Sequence, residues 1–116
     1  MRQGFLMISG VTRADRHQVT AGVNDAISAA GGWVINHTLF SNIAITIQFS
    51  LPSPRLDEFR ERLVTANVKL DDDSLAEIRT MAEKHFPKPI DVTATLNITF
   101  IHNEPDLRRE IPAIPG

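Results

Sequence analysis

The sequence predicts a single α+β domain in which helices cover one face of an antiparallel sheet. Two patterns point there: apolar residues alternate with a period of two in some stretches and recur every three or four positions in others. The chain has 116 residues, 42% of them hydrophobic, which is enough for one packed core. It has no cysteine, so that core needs no disulfide framework, and a thiol nucleophile, a thiolate zinc site and a CxxC redox pair are all excluded.

The first element is Phe5-Leu6-Met7-Ile8, closed by Gly10-Val11-Thr12. It is apolar on both faces, as a central strand is when neighbours flank it and helices cover it. From Asp15 the period changes, and Val19, Val23, Ala26, Ile27 and Ala30 form one helical stripe. Asp15 with Gln18 makes a capping box at its start, and Gly31-Gly32 stops it. Trp33 to Leu39 and Ile43 to Leu51 follow as strands. In the second, Ile43, Ile45, Ile47, Phe49 and Leu51 alternate with Ala44, Thr46, Gln48 and Ser50, which puts the large apolar side chains on one face. The turn Phe40-Ser41-Asn42 is so short that the two strands must be antiparallel neighbours.

Pro52-Ser53-Pro54 breaks the sheet, with Ser53 expected as N-cap and Pro54 at the first helical position. Leu56, Phe59 and Leu63 carry a helical stripe to about Ala66. The run Asp71-Asp72-Asp73-Ser74 suggests a hard-cation site, but acids also favour a helix N-terminus, and Leu75, Ile78, Met81 and Ala82 supply a buried stripe directly after it. A helix start is the preferred reading. Lys84 and His85 suit the negative end of that helix, and Phe86-Pro87-Lys88-Pro89 ends it. From Ile90 to Ile101 the alternation is the cleanest in the chain, marking a long half-buried strand. Residues 1–103 are read as the domain. Residues 104–116, with Pro105, Pro112 and Pro115 among mixed charges, are read as an extended or disordered tail.

The order is strand, helix, strand, strand, helix, helix, strand. It predicts a ferredoxin-like βαββαβ sandwich with a four-stranded antiparallel sheet, helices on one face and an extra helix before the last strand. In that topology the first and third strands are central and the last lies at an edge.

Composition narrows the function. The formal net charge is −2, the basic residues are dispersed apart from Arg108-Arg109, and aromatic content is 6%, so nucleic acid is not an expected partner. No apolar run reaches the length of a membrane-spanning helix, and Met1 to Ser9 reads as a strand, not a signal peptide, so a cytoplasmic protein is expected. Asn36-His37-Thr38 and Asn97-Ile98-Thr99 then match the glycosylation pattern by accident. His17, His37, His85 and His102 are scattered, without a pair at metal-ligand spacing, so neither a metal nor another cofactor is assigned.

Ile8-Ser9-Gly10-Val11-Thr12-Arg13-Ala14-Asp15-Arg16, followed by a helix, Gly31-Gly32 and a strand, resembles the opening of an ACT or ACT-like domain. The family pattern is close to Gly-x-Asp-Arg-Pro-Gly in the turn after the first strand, and His17-Gln18 stand here where it has Pro-Gly. The resemblance covers roughly the first half of the chain. It implies a regulatory module that senses an amino acid or similar small metabolite, with Gly10, Thr12, Arg13, Asp15 and Arg16 forming the ligand-facing turn. A shorter stretch, Gly32-Trp33-Val34-Ile35-Asn36, resembles acylphosphatases, which share the core topology. That likeness implies Asn36 as the amide orienting a water and Arg13 or Arg16 as the phosphate holder, although the family's Gly-rich phosphate loop is missing. No catalytic residue is assigned, and a dimerisation or interaction domain without ligand remains an alternative. The bland roles are capping for Asp15 and an ordinary strand hydrogen bond for Asn36.

The last strand carries no lysine or proline and one acid at its beginning. A homodimer is therefore expected, joined through the sheet face, where Thr95 and Asn97 would sit, or through the edge of that strand.

Overall fold

The computed structural model describes residues 4–40, 43–84 and 88–101. The predicted tail, and the expectations placed on His85 and His102, lie outside them. The chain forms β1 (Gly4–Thr12), α1 (Arg16–Ala29), β2 (Trp33–Phe40) and β3 (Ala44–Pro52). A 3-10 turn, Ser53–Arg55, leads into α2 (Leu56–Thr65), and β4 (Lys69–Leu70), α3 (Asp72–Glu83) and β5 (Asp91–Phe100) follow. The protein is α+β, with a mixed sheet in the order β2-β3-β5-β1-β4.

This corrects the four-stranded antiparallel sheet. A fifth strand, β4, pairs antiparallel with β1 through Gly10 opposite Leu70 and Val11 opposite Lys69. Two residues are too few to show a period, so no pattern marks them as a strand. The last strand is not an edge either: β5 lies between β3, to which it is antiparallel, and β1, to which it is parallel. Its backbone groups are taken on both sides, and its lack of lysine and proline is that of an interior strand. The expected dimer contact through its edge is thereby ruled out. The first and third strands are interior as expected, but β5 separates them.

Alternation does the packing. Leu6 and Ile8 of β1, Ile45, Ile47, Phe49 and Leu51 of β3, and Val92, Ala94, Leu96, Ile98 and Phe100 of β5 are buried on one face. The helices meet them there with Val19, Val23, Ala26 and Ile27 of α1, Leu56, Phe59 and Leu63 of α2, and Ile78 of α3. The Phe49 and Phe59 rings lie 4.9 Å apart, joining sheet to α2.

The helix ends follow the local chemistry. Asp15 caps α1, accepting from the backbone N–H groups of His17 and Gln18. The helix closes with Gly31 N–H on Ser28 C=O and Gly32 N–H on Ile27 C=O, and Gly31 has φ 83°. α2 ends the same way, with Asn67 in the left-handed position. Ser53, expected to cap α2, does not: its N–H donates to Ile90 C=O, and its hydroxyl accepts from Ile90 N–H. It ties the 3-10 turn to the start of β5. Asp71 caps α3 by accepting from Ser74 N–H, which supports the helix-start reading of the acidic run.

Candidate functional site

The sequence singled out the turn after β1, and its residues have different tasks. Gly10 is buried, and a Cβ there would lie 2.8 Å from the Lys69 carbonyl oxygen, so glycine is what lets β4 approach. Thr12 is buried too; its hydroxyl donates to Asn67 C=O at 2.7 Å and accepts from Ala14 N–H at 3.1 Å. Asp15 is the α1 cap. These three hold the turn in shape and bring the end of α2 to the end of β1.

Arg13 and Arg16 open onto a hollow of about 380 Å³, lined also by Ala14, Asp15, His17, Phe100 and Ile101. A second hollow of about 380 Å³ adjoins it between α1 and the β2–β3 hairpin, sharing Arg16 and His17. Its walls are Thr20, Ala21 and Asn24 from α1, and His37, Leu39 and Ile45 from the hairpin. The combined surface offers guanidinium, imidazole, hydroxyl and amide groups on the helix side and aliphatic carbon on the sheet side. Such a surface suits a small molecule with an anionic end and an apolar body. His17, Thr20, Asn24 and His37 were not singled out in the sequence, because helix and hairpin come together only in the fold. Among the described residues no group of His, Asp and Glu is placed to hold a metal ion.

Asn36 is not part of this surface. It sits on β2 opposite Gln48, on the other face of the sheet, with β3 and β5 between its strand and β1. The structure does not bring it together with Arg13 or Arg16.

No helix among the described residues covers that other face. Across it run four rows, fixed by the strand registers. Trp33, Ser50, Thr93 and Phe5 form the first; Asn36, Gln48, Thr95 and Met7 the second; Thr38, Thr46, Asn97 and Ser9 the third; Phe40, Ala44, Thr99 and Val11 the last. None of these residues is charged. The middle strands contribute small polar side chains, including a Thr46 hydroxyl that donates to Asn97 Oδ1 at 2.6 Å. Apolar side chains line both flanks: Phe5 is 70% exposed, Met7 64%, Phe40 54% and Trp33 53%. The run Phe5 to Ile8 looked buried on both sides in the sequence, yet only Leu6 and Ile8 are covered.

Among the described residues, the carboxyls of Glu58 and Asp71 are held below their ordinary range. Glu58 is held down by hydrogen bonds from Arg55 and Arg62, and Asp71 by hydrogen bonds from Ser74. Glu58 lies on α2 and Asp71 caps α3, and neither lines the two hollows. No helix among the described residues is long and apolar enough to cross a membrane. Compared with known proteins, the chain matches no protein-family model, no curated protein and no solved structure.

Proposed function

We propose that the chain is a small-molecule-sensing regulatory module of the ACT-like kind, built on an elaborated ferredoxin-like core and acting as a homodimer. The observation that carries the ligand site is the pair of adjoining hollows at the start of α1, which share Arg16 and His17 and lie beside the turn that resembles the ACT pattern. An amino-acid-type ligand would place its carboxylate toward the guanidinium side and its side chain against Leu39 and Ile45. The fold reading rests on strand order: with β5 set aside, β2-β3-β1-β4 has the order and alternating directions of a ferredoxin-like sheet. α3 and β5 would then be an addition after β4 that places β5 between β3 and β1.

A thermal-shift screen against amino acids and phosphorylated metabolites tests the ligand. The expected result is a rise in melting temperature for one narrow chemical class, lost in Arg16→Ala. No shift at millimolar ligand would leave the second reading, an interaction module without ligand, which the uncharged open face favours. An acylphosphatase-like activity is not expected, with Asn36 on the opposite face from the arginines; acyl-phosphate turnover abolished by Asn36→Ala would reverse that.

A further inference from the structure

The open sheet face is flanked on both sides by exposed apolar side chains, Phe5 and Met7 on β1, Trp33 and Phe40 on β2, with an uncharged polar band between them. We infer that this face packs against the same face of a second copy about a two-fold axis. The inference rests on the homodimer reading and adds its surface.

Three properties of the face single out a second copy. First, the four rows carry no charged side chain, so two copies laid face to face bring no like charges together, and the Thr and Asn side chains of the polar band can exchange hydrogen bonds. Second, the charges lie at the rim: Lys69 at the corner on β4, Asp91 at the end of β5, and Glu77 of α3 with Lys84 at its end beside Phe5, where an interface is wet. Third, the size is adequate. With strands about 4.8 Å apart and a rise of about 3.4 Å per residue, four strands from Phe5 to Val11 cover roughly 450 Å² in projection. Side-chain relief brings the pair to on the order of 1,000 Å² of buried surface, the lower limit for a specific interface.

Light scattering at micromolar concentration on the whole chain, Phe5→Lys and Trp33→Glu tests this. Both side chains are solvent-exposed in the single chain, and circular dichroism checks that each variant folds. The expected result is a dimer for the unaltered chain and a monomer for each variant. A monomeric unaltered chain overturns the homodimer reading and leaves the face to a different protein. A dimer that survives both changes keeps the homodimer but overturns this surface. Trp33 is the only tryptophan; its emission should shift to longer wavelength on dilution, and emission unchanged while the dimer dissociates would overturn its place in the interface.

Discussion

At the scale of the residue, the turn after β1 is held by groups with little freedom to change. Thr12→Val keeps the volume but leaves Asn67 C=O and Ala14 N–H without their partner. Loss of such part-buried bonds costs about 1–3 kcal/mol, to be read from urea unfolding. Gly10→Ala forces a methyl group against the Lys69 carbonyl, and a loss of the same order, about 1–3 kcal/mol, is expected with β4 displaced. Asp71 gives a pH dependence. Its carboxyl titrates lower in the folded chain than in the unfolded one because Ser74 hydrogen-bonds the charged form. Its contribution is therefore present above the ordinary aspartate range and is lost as pH falls through the lowered value. The stability difference between the unaltered chain and Asp71→Asn should shrink as acid is added; a difference that grows instead would contradict the cap.

At the scale of the element, β5 and β2 have opposite situations. β5 is hydrogen-bonded along both sides, by β3 and β1, whereas β2 is the sheet's edge and every one of its residues is exposed. Native-state hydrogen exchange should find the slowest amides in β5 and much faster ones in β2. A register shift between Val34 and Asn36 interrupts β2, and such a bulge discourages further strands from adding to that edge. For α2, Phe59→Ala removes a fully buried ring tilted against that of Phe49, at a cost of about 3–5 kcal/mol in chemical unfolding.

At the scale of the whole molecule, the sheet has one covered and one bare face. If the bare face is closed by a second copy, folding and association are linked by mass action. The thermal midpoint should then rise with protein concentration in the unaltered chain and become independent of it in Phe5→Lys.

The sequence by itself determined the long elements and their inward faces. Val19, Val23, Ala26 and Ile27, or Val92 through Phe100, bury where their periods said they would, because amphipathic spacing is a local property that any core exploits. It also placed the Asp15 cap and the Gly31-Gly32 stop, both made by neighbours within a few residues. Of the candidate site, it found the turn from Gly10 to Arg16 but not the α1–hairpin wall with His37, nor the separation of Asn36 from the arginines. Only the tertiary structure decided that β5 enters between β3 and β1, that two residues at Lys69–Leu70 make a strand, and that Phe5 and Met7 face outward. Strand order is set by pairings between residues far apart in the chain, and alternation has the same period whichever strand lies alongside. A run apolar on both sides reads the same whether its second face meets helices, a second copy or water.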